Sequence, residues 1–337
     1  EAGDTVFLKG GQTFQGHIRK YLTYNDTVNA LTFTSYGTGK PIISMGVSDS
    51  MGIGIQFTKH IKLAIRNIKV QGSYNPVTEA GGYVRTQYGI AIWNFTLISP
   101  IDSNKISQVN IVNCEVLNIK DGPIAVTPGD FGKTITAKID SNLVYNCGGG
   151  AISITFNWHS KSRIYGNVVR DIYGLSSQPY VYPIVVTLSK DVTIERNLIY
   201  NIGGKPTISG LGITTSASKN IKIRYNEIYN IIHTSGTDAE AINFENGSDS
   251  CLAEYNYIHD TPGMGVLISA NSSDSVFIQN YKTYANLRGS IDSGSADYNV
   301  VRYNLMKNLS SSNANGYMGI KVASGGYKVS VPGKNNQ

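Results

Sequence analysis

The sequence predicts an all-β fold: a right-handed parallel β-helix, three strands per coil and about ten coils long, forming one domain over residues 1–337. Three observations carry that expectation. First, Lys190 to Ile202 reads Lys-Asp-Val-Thr-Ile-Glu-Arg-Asn-Leu-Ile-Tyr-Asn-Ile. Lys219 to Ile231 repeats it as Lys-Asn-Ile-Lys-Ile-Arg-Tyr-Asn-Glu-Ile-Tyr-Asn-Ile. Looser copies occupy 139–147, 164–172, 251–260 and 300–309. Second, apolar residues alternate within each copy (Val192, Ile194, then Ile199), pause at an Asn, and restart in the opposite phase. That is strand, turn, strand. Third, only 15% of the residues are charged while 36 are Gly and 22 are Tyr, unlike a helical repeat.

The first Asn of each copy marks the coils: Asn142, Asn167, Asn197, Asn226, Asn256 and Asn304. The gaps are 25, 30, 29, 30 and 48, the last read as two coils with Tyr281 near the missing marker. Cys114 and Asn67 are assigned the same slot upstream. Asn suits a turn that needs a left-handed residue, and stacked coils would align the amides in a ladder at about 4.8 Å. A third strand precedes each copy, as in Ile152–Phe156, Ile184–Val186, Ile242–Phe244 and Val266–Ile268.

Taken in order, residues 1–45 read as two opening coils and 46–72 as the next. Ser73 to Tyr88 is an insertion between the third strand of one coil and the first strand of the next. The same connection is short at Lys120–Pro123 and Gly148–Gly150. It lengthens again at Tyr173–Tyr182, Gly203–Gly210 and Ile232–Glu240. Long loops flanking short turns predict a trough over residues 115–160, and long loops in compact folds tend to be functional. The tail from Ser310 holds one more coil and a loose end at 329–337. The chain opens inside a first coil, so a cap, and with it a secretion signal, is expected upstream.

The net charge of +6 and pI near 9.0 favour an acidic partner, although no block of like charges concentrates it. Cys114, Cys147 and Cys251 have no register that would pair them and read as small buried hydrophobes. No stretch is long and apolar enough to span a membrane as a helix. The expected partner is an acidic polysaccharide, not a nucleic acid or a membrane. The chain is expected to act as a monomer with no cofactor and no metal.

In the trough, Tyr83 and Arg85 come from the insertion, Lys120 and Asp121 from the short turn. Three residues past each marker an outward column reads Leu117, Tyr145, Arg170, Tyr200, Tyr229, His259, Tyr284 and Lys307. Rings interleaved with cations suit sugar faces and carboxylates, and Tyr stacking on its own copies is the plainer reading. Lys and Tyr together suggest β-elimination from a uronic-acid polymer. That reaction needs a base for the C5 proton, an acid for the departing C4 oxygen and a group that neutralises the carboxylate. A free Lys, at about 10.4, is a poor base until burial or a neighbouring Arg lowers it. Lys120 is the candidate base and Tyr83 the acid. Arg85, Tyr145 and Arg170 are the candidates for holding carboxylates and sugar rings. A second pair with the same separation, Lys219 and Tyr182, falls at opposite strand ends and ranks lower.

The opening Gly-Asp-Thr-Val, followed by Thr-Ser-Tyr-Gly and Lys-Pro-Ile-Ile, resembles the start of secreted bacterial β-helix polysaccharide-degrading enzymes. The whole chain is similar to β-helix polysaccharide lyases, most of all those cleaving the mannuronate polymer of alginate with a Lys–Tyr pair. The resemblance implies an extracellular enzyme whose base and acid match Lys120 and Tyr83 in type and register. The Trp-Ile-Asp-His of pectate lyases is absent, as are the polygalacturonase elements and the Asp-Pro-His of alginate epimerases. Asp238, Glu240, Glu245 and Asp249 support an alternative, a glycoside hydrolase with paired carboxylates. A non-catalytic glycan binder is the second alternative.

Overall fold

The computed structural model describes residues 3–23, 26–58, 60–94, 106–128, 135–155, 157, 161–232, 239–269, 298–309 and 319–323. Within them the chain winds into three parallel sheets of 10, 10 and 11 strands, each strand bonded to its counterpart one coil away. A representative coil runs Ser162–Tyr165 in the first sheet, Val168–Ile172 in the second and Tyr180–Thr187 in the third. The expected third strands are present as Gly150–Thr155, Tyr180–Thr187, Glu240–Glu245 and Met264–Ser269.

The core follows from alternation. In the third sheet Ile53, Ile90, Ile124, Ile152, Ile184, Ile213 and Ile242 fall in one register, all at most 1% exposed. Alike β-branched side chains stacked coil on coil fill the interior without gaps. Cys114, Cys147 and Cys251 are buried and free, and burial pushes their thiols up to about 11, 12 and 12.

The marker Asn residues form the ladder. Asn167 donates its backbone N–H and its amide to Asn197 Oδ1, both at 2.9 Å. The Asn197 amide donates in turn to Ile164 O at 3.0 Å and Asn226 Oδ1 at 2.9 Å. The left-handed position, however, is the residue before each marker: Asn67, Asn113, Ser141, Gly166, Arg196, Tyr225, Tyr255 and Tyr303, with φ from 52° to 63°. The Asn itself turns inward, where only an amide can satisfy donors and acceptors of two coils at once. A second Asn and Asp ladder closes the far end of the second-sheet strands, as in Asn230 Nδ2 to Asn201 Oδ1 at 2.6 Å.

Three boundaries differ from the sequence expectation. Lys69 pairs with Glu115, which puts Ile68, not Asn67, level with Cys114. Asn256 donates straight to Asn304 Oδ1 at 2.8 Å, so the 48-residue gap spans one coil step, not two. Met51–Phe57 closes the second coil, and the third is Ile61–Arg66, Lys69–Gln71 and Tyr88–Asn94. Counting apolar runs could not show whether extra residues add a coil or loop out of one. Tyr281, Tyr284 and the tail at 329–337 lie outside the described residues; Ile320–Ala323 adds a last strand to the third sheet.

Candidate active site

The insertion after Gly72 does not simply wall a trough; it folds across the short turns. Tyr74, 2% exposed, lies against Gly148, where a Cβ would come within 2.3 Å of Lys120 O and 2.8 Å of the Tyr74 ring. Only glycine lets the loop lie this close. Farther along, Glu79 accepts from the Ser176 N–H at 2.8 Å and from the Lys205 ammonium, which also donates to Gly174 O at 2.8 Å. Burial pushes the Glu79 carboxyl up, but the bonds from Lys205 and Ser176 outweigh it and hold it at about 2. One loop is thus stitched to two others that arise three and four coils away. The expected trough is roofed at its corner, and its open part is displaced onto the third sheet.

That opening is a cavity of about 400 Å³. Its polar lining comes from Asp121, Ser153, Gln178, Tyr180 and Tyr182, over a floor of glycines and small apolar residues at 149–152. The Tyr180 and Tyr182 rings lie 6.4 Å apart at 54°. Asp121 Oδ2 accepts the Gln87 N–H at 2.7 Å. Burial raises the Asp121 carboxyl above its ordinary 3.8, against the opposing pull of the Gln87 bond and Lys120. A raised carboxyl facing a cavity is the arrangement acid–base chemistry uses.

The sign of that shift gives an expected result. A carboxyl raised on folding contributes stability below its unfolded pKa and loses it as pH rises through the folded value. Asp121→Asn keeps an acceptor for Gln87 without the charge. Its melting temperature relative to the parent should therefore climb from acid to neutral pH. A difference independent of pH would mean that Asp121 is not raised.

Lys120 does not line the cavity. Its ammonium donates to the carbonyls of Tyr83 at 3.4 Å, Val84 at 3.0 Å and Arg85 at 3.2 Å, while its N–H donates to Gln87 Oε1 at 3.1 Å. The structure brings Lys120, Tyr83 and Arg85 together as expected, with backbone carbonyls as the point of contact. The Arg85 side chain is exposed and Tyr83 half-buried. Tyr145 and Arg170 pair in register on the outer face of the second sheet, away from the cavity lining. The Arg170 guanidinium lies 4.5 Å over the Tyr145 ring and bonds Asp171. The Tyr145 hydroxyl donates to Glu115 Oε1 at 2.9 Å, which also takes the Lys69 ammonium at 2.8 Å. The outward column is otherwise as read, with Tyr200 and Tyr229 stacked 4.9 Å apart and His259 paired directly with Lys307.

Lys219 and Tyr182 are separated. Lys219 pairs with Asp249 at 3.1 Å, beyond the Ser216 that pairs with Thr187, while Tyr182 lies five residues before Thr187. Five strand steps are about 16 Å. Tyr182 alone belongs to the cavity. The same arithmetic applies to Glu240 and Glu245, at the two ends of one strand and about 16 Å apart. Paired glycosidase carboxylates lie within about 9.5 Å. Asp238 lies outside the described residues. Among the described residues no group of three or more His, Cys, Asp or Glu gathers to hold a metal ion.

The right-handed beta helix region family matches residues 98–282. The chain belongs to that family. A comparison with curated proteins finds no match. Among solved structures the chain is similar to the GH136 lacto-N-biosidase of Eubacterium ramulus, with TM-score 0.51, 12% identity and 95% of this chain covered. It spans 62% of that protein's length. It is also similar to an alginate lyase from Paenibacillus sp. str. FPU-7, with TM-score 0.46, 12% identity and coverage of 97% and 93% of the two chains. A third is the enzymatically active domain of tailspike protein 2 of bacteriophage CBA120, with TM-score 0.44, 12% identity and coverage of 88% and 42%. At such identities the likeness is one of fold.

Sequence reasoning named Asp121 and Tyr182 within this β-helix but missed Gln178, Tyr180 and Ser153 as their companions. The signal was present in the long loop 173–182, which runs straight into the strand Tyr180–Thr187. What hid it was the roof: the insertion was expected to line the trough, and instead it covers part of it.

Proposed function

We propose that this β-helix is a polysaccharide lyase that cleaves a uronate polymer, alginate above others, by β-elimination over the third sheet. The observation that carries the reading is the cavity's titratable set: one burial-raised carboxyl and two tyrosines, with no second carboxylate among the described lining residues. Hydrolysis by paired carboxylates needs that second acid. Elimination does not. Its carbanion-like state puts extra charge on the uronate carboxylate, and Asp121 in its protonated form, with the Gln178 amide, can donate to it. Lys120, once the 83–85 carbonyls release it and its ammonium has given a proton to solvent, takes the C5 proton as the neutral amine. The C–H pair becomes the C4–C5 double bond, and a tyrosine protonates the departing oxygen. Tyr83 and Tyr182 are the two candidates for that acid. Loops often tighten or part only when substrate arrives, so the staple in the free protein leaves this role open. Arg85, Tyr145 and Arg170 would then guide the polymer outside the cavity. The enzyme would act alone and outside the cell, where such polymers are found.

The test is ultraviolet absorbance of the unsaturated uronate, with alginate, pectate and chondroitin supplied separately. A rise with one polymer is expected. New reducing ends without absorbance would point to hydrolysis, and neither signal would point to a binding module.

A further inference from the structure

A second surface lies on the first sheet, which the cavity does not touch. There a groove of about 520 Å³ is lined by Lys161, Arg163, Lys222 and Arg224, against Asp191 and Glu195. Arg163 bonds Asp140 at 2.6 Å and Arg224 meets Glu195 at 3.3 Å, which fixes both guanidinium groups across the groove. Lys161 and Lys222 are exposed and make no ion pair with any described residue. The groove therefore keeps two uncommitted cations.

An independent feature continues it along the axis. At the left-handed position before each marker, the earlier coils place Asn67, Asn113 and Gly166, residue types that tolerate that backbone, and the small Ser141. The later coils place Tyr225, Tyr255 and Tyr303, which do not favour it, and expose them by 44%, 45% and 67%. Their rings stack at 5.2 Å and 5.2 Å, with Arg196 over Tyr225 at 5.3 Å and Arg302 over Tyr303 at 5.4 Å. Stacked rings hide their faces from solvent and present a row of edges and hydroxyls, one per coil. Strained, exposed aromatic residues ending in cations suggest a surface kept for contact. Arg196 and Tyr225 directly follow the groove residues Glu195 and Arg224, so row and groove form one strip. From Tyr165 to Tyr303 it crosses four coil steps, about 19 Å.

We propose that this strip is a non-catalytic binding site for a second stretch of acidic polysaccharide. It would hold polymer on the face of the first sheet while the third sheet cleaves. Carboxylates would meet Lys161 and Lys222, and sugar hydroxyls the tyrosine edges, while Arg302 stays paired with Glu254 at 2.9 Å and Arg196 lies 3.8 Å from Glu195. The inference rests on the reading of the ligand as an acidic glycan, but not on catalysis.

Affinity electrophoresis of the full chain through gels cast with alginate, with polygalacturonate or with a neutral β-glucan tests it. Lys161→Glu with Lys222→Glu should weaken retention by the acidic gels about tenfold. Tyr225→Asn with Tyr255→Asn should weaken it while leaving the melting temperature unchanged or raised, since Asn suits the backbone there. Cleavage of short oligosaccharides should stay unchanged in both. Retention equal to the parent in both double variants would overturn the proposal, as would equal retention by the neutral gel. Retention that the groove variants abolish, in a protein that cleaves none of these polymers, would uphold the strip and sink only the lyase reading.

Discussion

Asn197→Leu is expected to lower the stability of the β-helix by about 3–6 kcal/mol. Asn197 is 1% exposed and lies at mid-stack. Leucine fills the space but takes the Asn197 partner from the Asn167 N–H, from one N–H of the Asn167 amide, whose other N–H keeps Ile139 O, and from the Ile164 carbonyl. Each buried orphan costs about 1–3 kcal/mol. Because coils in a solenoid contact only their neighbours, the loss falls on one interface and can split unfolding into two steps. Denaturant melting read by circular dichroism is the check. Asn304→Leu, at the half-buried end of the ladder, should cost less. Equal costs, or a loss at Asn197 below about 1 kcal/mol, would mean the ladder is ornamental.

Lys120→Arg is expected to lower kcat by about 10²–10⁴-fold while the protein stays folded. The substitution separates two roles. A guanidinium can still donate to the Tyr83, Val84 and Arg85 carbonyls that Lys120 now holds, so an anchoring role survives it. It cannot act as a base, because it is never deprotonated in proteins. Lys120→Met removes both roles and should also loosen the 73–87 loop, seen as faster proteolysis there. Full turnover in Lys120→Arg would leave Lys120 as an anchor and move the base to the cavity itself, where Tyr182→Phe becomes the decisive variant.

The coil architecture was legible because every coil repeats one solution. Period-two alternation gave the strands, and the recurring Asn gave the turn between the first two sheets. Less legible was which residue of the turn takes the left-handed backbone, since Arg196 and Tyr225 lack the usual signal. The 48-residue gap was misread because length alone does not count coil steps, and Asn256 bonds Asn304 directly. The site was legible in part. Loop lengths pointed to Lys120, Tyr83 and Asp121 as candidates, because loops that break a repeat stand out against it, and of the three Asp121 lines the cavity. The fold of the loop that Lys120 turns into is held by Glu79 reaching Ser176 and Lys205, contacts between residues 97 and 126 positions apart. No local pattern encodes such a contact.

The most direct test of the elimination reaction is to cleave the active polymer in water enriched in heavy oxygen and weigh the products. Elimination breaks the C4–O bond without adding water. The fragments should carry no solvent oxygen, and the new non-reducing end should be lighter by one water than a saturated one. Heavy oxygen at the new reducing end, with saturated products, would show hydrolysis and contradict the proposed roles of Lys120, Asp121 and the cavity tyrosines.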